Sequence, residues 1–174
     1  DYSGLENLEY VGDGFAAVQN NSLTSFKGLE QLETINRNLA ILGNPQLRAV
    51  SNFESLNYIG TQLFIDNNNK LTKIEGFANL IALGQNNNFQ AAKSLGINNN
   101  AELVEISAFN QLSTADQLSV NANPNLLKIN GFEQLRELQQ LVIARNNKLV
   151  DIGLASLTTI GNSLNVTGNP ALEA

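Results

Sequence analysis

One nine-residue frame, apolar-x-apolar-x-x-Asn-x-x-Leu, occurs seven times in this chain of 174 residues. Its Asn positions are Asn20, Asn44, Asn68, Asn100, Asn123, Asn146 and Asn169, at steps of 24, 24, 32, 23, 23 and 23. A fixed period of this size is the signature of stacked repeats. The triplet before each Asn, such as Leu39-Ala40-Ile41 or Leu141-Val142-Ile143, alternates with period two and reads as a short strand. Its first and third residues point inward and its middle residue outward. Between the frames runs a second pattern, Phe53-x-x-Leu56-x-x-Ile59 and its later copies from Phe77, Phe109 and Phe132, with weaker copies from Leu29 and Leu154. A third apolar point recurs at Phe26, Val50, Ile74, Ile106, Ile129 and Ile152.

One such unit cannot bury its own apolar residues, but stacked units share a continuous core. The expected fold is therefore mainly β: a right-handed parallel β-helix or leucine-rich-repeat-like solenoid of about seven coils. Seven strands at ~4.8 Å give a sheet roughly 34 Å long. The spacing of three in Phe-x-x-Leu-x-x-Ile fits a helical or 3₁₀ turn or an irregular stretch, and periodicity does not choose between them. The whole chain, 1–174, is expected to form one solenoid domain with an insertion loop at about 84–92, where Leu83 to Leu95 takes 12 residues and Ile59 to Leu63 takes 4. Since the chain begins with Asp1, it is expected to be a processed or excised piece of a larger protein.

The Asn column has a physical purpose. The backbone turns inward after each strand and leaves N–H and C=O groups unpaired. An amide side chain offers two donors and an acceptor, so stacked Asn residues can satisfy the backbone of successive coils. All seven Asn residues are therefore read as a buried structural ladder.

Composition narrows the function. The chain has no Cys and no His, which removes thiol nucleophiles, the commonest general base and the commonest metal ligand. No catalytic, cofactor-binding or metal-binding residue is expected. Gly12-Asp13-Gly14 and Asp66-Asn67-Asn68-Asn69 lack the acidic spacing of a calcium loop. With 10 basic against 16 acidic residues, a net charge of −6, the chain lacks the basic footprint that nucleic acid requires, and no membrane insertion is expected.

Binding is expected on the outward face of the strands. Its middle column is Ala16, Ala40, Phe64, Gly96, Ser119, Val142 and Asn165, flanked by Gly14, Asn38, Gln62, Ser94, Gln117, Gln140 and Ser163, and by Val18, Leu42, Asp66, Asn98, Asn121, Ala144 and Thr167. Asp66 is the one charged residue among these 21 positions. The candidate partner-binding residues are Leu42, Phe64, Asp66, Asn98, Asn121, Val142 and Asn165 on the face, with Phe89 and Gln90 in the insertion. Arg48, Lys73, Glu75, Glu105, Lys128 and Asp151 lie off this face and read as a solvated surface. Two N-glycosylation sequons begin at Asn20 and Asn165. The first is expected to be silent because Asn20 belongs to the ladder.

Ile59-Gly60-Thr61-Gln62-Leu63-Phe64-Ile65 and Ile160-Gly161-Asn162-Ser163-Leu164-Asn165-Val166 resemble the repeat of receptor L domains. Leu138, Leu141, Ile143 and Asn146 resemble the start of an ordinary leucine-rich repeat. The resemblance implies an extracellular, non-enzymatic recognition or adhesion module with a protein or carbohydrate partner. The missing cysteines point to a microbial cell-surface protein. The alternative is a structural spacer that self-associates end to end. Ice binding ranks last, because the outward column is irregular.

Overall fold

The computed structural model describes residues 1–84 and 92–173. The strands, in chain order, are β1 (Tyr10–Val11), β2 (Phe15–Val18), β3 (Thr34–Ile35), β4 (Leu39–Leu42), β5 (Ala49–Val50), β6 (Tyr58–Ile59), β7 (Leu63–Asp66), β8 (Lys73–Ile74), β9 (Ala82–Leu83), β10 (Ser94–Asn98), β11 (Glu105–Ser107), β12 (Gln117–Asn121), β13 (Lys128–Asn130), β14 (Glu137–Ala144) and β15 (Thr159–Thr167). They form three sheets. The largest has seven strands in the order β2-β4-β7-β10-β12-β14-β15; the other two have four each, β1-β3-β6-β9 and β5-β8-β11-β13. Every strand pairing is parallel. The chain is thus a parallel β-solenoid whose seven-stranded sheet is separated into rungs by about six turns.

The three apolar patterns become three structural columns. The repeated triplets form the seven-stranded sheet in exact frame, with Leu39 beside Leu63 and Leu63 beside Leu95. The pairing of β7 with β10 spans the eight-residue insertion without a shift. The insertion at about 84–92 itself, with Phe89 and Gln90, falls mostly outside the described residues.

No helix occurs among the described residues, so the helical option for Phe-x-x-Leu is corrected. Each copy is a single turn closed by one hydrogen bond: the N–H groups of Leu56, Leu80, Leu112 and Leu135 donate to the carbonyls of Phe53, Phe77, Phe109 and Phe132 at 3.0–3.2 Å. The Asn-x-x-Leu step closes in the same way, for example Leu103 N–H to the Asn100 carbonyl at 3.2 Å. A spacing of three is common to a 3₁₀ step and an isolated turn. Here the chain must enter the next strand within a few residues, and one turn is all it has room for.

The core is a continuous rod. Phe26, Phe53, Phe77, Phe109 and Phe132 are buried and face one another rung by rung, with ring centroids 5.0–5.3 Å apart, and Tyr2 extends the file from Phe26 at 5.7 Å. Phe26 reaches this file from a different sequence column than the other four. In its coil Phe26 and Leu29 exchange sizes, and both remain buried. Core volume is conserved while the residue supplying it changes, as dense packing permits.

Candidate functional site

The Asn ladder is the best-defined polar feature. From Asn44 onward, each ladder side chain serves the coil before it. Asn44 Oδ1 accepts the Asn20 backbone N–H at 3.1 Å, and its Nδ2 donates to the Ala17 carbonyl at 2.9 Å. The same pair of bonds recurs from Asn68, Asn100, Asn123, Asn146 and Asn169. Among the described residues no buried side-chain polar atom lacks a partner. Asn44, Asn68, Asn100, Asn123 and Asn146 are fully buried. The two ends depart from the expectation of seven buried amides. Asn20 is exposed and Asn169 partly so, because burial of each corner needs a rung on both sides. Burial therefore does not silence the Asn20 sequon. Asn165, also exposed, lies within β15.

The outward face of the seven-stranded sheet carries the predicted binding residues. Leu42, Phe64, Asp66, Asn98, Asn121 and Val142 are all partly exposed, and Asn165 is exposed. Parallel register places Phe64 beside Ala40 and Gly96, and Asp66 beside Leu42 and Asn98. A Cβ on Gly96 would lie 2.6 Å from Phe64 Cδ1. The ring therefore occupies the space that Gly96 leaves empty, an aromatic covering a strand glycine. Phe64 is in part a packing residue and less a free anchor than its sequence position implies.

A second polar chain lies on this face, and sequence reasoning missed it. Asp66 Oδ1 accepts both the Asn98 backbone N–H at 2.9 Å and Asn98 Nδ2 at 3.0 Å, and Asn98 Oδ1 accepts the Ser119 hydroxyl at 3.0 Å. Burial pushes the Asp66 carboxyl above its usual range, against the pull of the two Asn98 donors. Part of the signal was present in the sequence: Asp66 and Asn98 occupy one column two residues before the ladder, and Ser119 lies in the neighbouring middle column. By contrast, among the described residues no hydrogen bond engages the side-chain amides of Gln62, Asn121 and Gln140, which are partly exposed on this face.

A depression of about 450 Å³ lies where Thr114, which bridges to Ala82 and so continues the β1-β3-β6-β9 sheet, approaches the large sheet, lined by Thr114, Asp116, Arg136, Glu137 and Gln139 among others. It forms where Ala115 to Leu118 and Leu138 to Leu141 span three residues instead of four. Asp116 Oδ2 there accepts the Lys93 backbone N–H at 3.3 Å. Among the described residues no three acidic side chains cluster.

The class of protein that these features define is a parallel β-solenoid with an internal asparagine ladder. No family model, no curated protein and no solved structure matches the chain.

Proposed function

We propose that this chain is a non-enzymatic recognition module, of the receptor L-domain type found at microbial cell surfaces, that holds an uncharged glycan on the outer face of its large sheet. The observation that carries this reading is the chemistry of that face. It offers one carboxylate among the 21 positions of its three columns, of which Ala40, Ser94, Gly96 and Ala144 are buried, in a chain whose net charge is −6. Neutral hydroxyl-bearing ligands match such a surface, since a planar amide both donates to and accepts from a sugar hydroxyl. Gln140 pairs in register with Gln117, and Val142 with Ser119. Asn121 pairs with Ala144 on the same strand as Gln140 and Val142, so two available amides lie on either side of an aliphatic side chain.

The test is binding of neutral oligosaccharides, measured on an array and then by calorimetry, for the natural chain and for Asn121→Ala/Gln140→Ala. The expected result is binding by the natural chain, lost in the double variant at unchanged melting temperature. Binding that survives the double variant sinks the assignment of the face. Binding to acidic glycans or to a protein in preference to every neutral glycan sinks the choice of partner.

A structural, self-associating element is the second reading. It is favoured by Leu164 and Val166, inward-facing residues that are 62% and 38% exposed on the last described rung. A further rung of the same frame would cover them. Association through this surface makes open-ended oligomers whose mass keeps growing with concentration.

A further inference from the structure

On the side of the solenoid formed by β5, β8, β11 and β13, three aliphatic side chains stand exposed in file. Val104 is 39% exposed, Leu127 41% and Val150 52%. Backbone hydrogen bonds from Leu127 to Val104 and from Val150 to Leu127, at 2.9 and 3.0 Å, set them one rung apart. Beside them, one residue further along the chain, runs the row Lys73, Glu105, Lys128 and Asp151. Glu105 pairs in register with Lys73 and Lys128, and Lys128 with Asp151. Ile74, Ile106 and Ile129, which follow the first three, are fully buried, so the charged residues point outward. The row alternates in sign along four rungs, yet no ion pair joins its members. Glu105 instead accepts Asn130 Nδ2 at 3.5 Å, and Asp151 accepts the Gly153 N–H at 2.9 Å.

An alternating row of four is its own complement when reversed. Lay two copies face to face and antiparallel about a twofold axis between the rungs of Glu105 and Lys128. Lys73 then meets Asp151 of the second copy, and Glu105 meets Lys128. In the aliphatic file Val104 meets Leu127, and Thr72 meets Val150. An axis moved onto either central rung sets Glu105 on Glu105 or Lys128 on Lys128, and a parallel pairing sets each charge on itself. Lys70 and Lys148 oppose each other at the edge, where solvent screens them. The charge pattern thus selects one arrangement, an isologous contact with self-complementary patches.

We propose that this face is a twofold interface between two copies of the chain, with Val104, Leu127 and Val150 as its apolar centre and the Lys73-to-Asp151 row setting its register. Four rungs span roughly 15–20 Å, so the contact belongs to the small class of interfaces and the dimer is weak.

Sedimentation equilibrium from about 10 μM to 1 mM tests it at low and high salt. The expected result is a closed dimer, weakened by salt, whose dissociation constant rises about tenfold or more in Leu127→Asp. Lys128→Glu and Glu105→Lys each reduce dimerisation, and the double variant Glu105→Lys/Lys128→Glu restores it. Circular dichroism confirms that each variant is folded, as the exposed Leu127 and Lys128 and the partly exposed Glu105 permit. A monomer throughout the range overturns the proposal. So does a dimer indifferent to Leu127→Asp, or a double variant that fails to recover. Open-ended growth indicates stacking through Leu164 and Val166 instead.

Discussion

Asn100 completes the backbone of Asn68. Its Oδ1 accepts the Asn68 N–H at 3.0 Å while its Nδ2 donates to the Ile65 carbonyl at 2.8 Å. Both residues are fully buried. One side chain therefore satisfies two groups on a coil that lies 32 positions earlier in sequence.

Asn100→Ala leaves that N–H and that C=O unpaired in the core. At about 1–3 kcal/mol for each of the two orphaned groups, the expected loss is roughly 2–6 kcal/mol. Asn20→Ala provides the contrast, because the exposed Asn20 amide has one hydrogen bond, to Asn44 Oδ1 at 3.2 Å. Its expected cost is about 0.5 kcal/mol or less. Urea unfolding followed by circular dichroism measures both. Equal losses at the two positions would contradict the account of the ladder.

A backbone column beside the ladder carries the opposite opportunity. The residue before each ladder Asn has a left-handed backbone: Gln19, Gly43, Asn67, Asn99, Ala122, Arg145 and Gly168, with φ between 53° and 67°. Hydrogen bonds hold the first six there, the N–H of each donating to a carbonyl of the following rung, such as Ala122 to Ala144 at 2.9 Å. An L-residue with a Cβ is strained in this region by about 1–2 kcal/mol, and Asn less than others. Replacing Ala122 or Arg145 by Gly relieves the strain, offset in part by the glycine's greater unfolded-state freedom. The expected net gain is roughly 0.5–1 kcal/mol at each, and close to nothing for Asn67→Gly. Thermal melts of the three variants check the order.

Glycine is required more strictly in the turns of the opposite corner. Gly131 and Gly153 have φ of 91° and 61°, and a Cβ on either would collide with a carbonyl oxygen of the preceding rung, that of Ala108 or Ile129. Gly131→Ala combines a forbidden dihedral with a clash against backbone and is expected to cost about 3 kcal/mol or more. Gly43→Ala shares only the dihedral, since a Cβ there meets Gln19 Cγ at an ordinary 3.6 Å. Its expected cost is about 1 kcal/mol. Comparing their urea midpoints separates the two contributions.

What the sequence made legible follows from what repeats. The ladder, the strand triplets and the Phe column recur with the same residue type, and each is where periodicity placed it. The left-handed column was invisible because its occupants range from Gly to Arg; hydrogen bonds from the next rung set its conformation, not residue preference. The exchange of Phe26 and Leu29 was hidden for a related reason: the core conserves volume per rung, and a column-by-column reading treats each position alone. Solvation at the ends, which exposes Asn20, depends on the absence of a neighbour, a property of the stack that no single repeat encodes. On the candidate face the columns themselves were legible. The contact of Phe64 with Gly96 and the bonds of Asp66 to Asn98 were not, because they join residues 32 positions apart.

Asp66 makes a pH-dependent test of that face. Burial raises its carboxyl above the usual aspartate range, and the two Asn98 donors only partly counter this. The folded chain therefore holds the Asp66 proton to higher pH than the unfolded chain does. The stability this contributes is fully present below the unfolded value, near 3.9, and is lost as pH rises through the raised folded value. Ionised Asp66 is then a small liability at neutral pH. Asp66→Asn keeps an oxygen to accept both Asn98 bonds and removes the charge. The variant is expected to be the more stable at pH 7, by less than about 1 kcal/mol because the side chain is partly solvated, and equal to the natural chain near pH 3. Melting temperatures of both proteins across pH 3–8 provide the check. The gap between them should open as pH rises; a constant gap, or one that opens towards acid, would mean that burial does not govern this carboxylate.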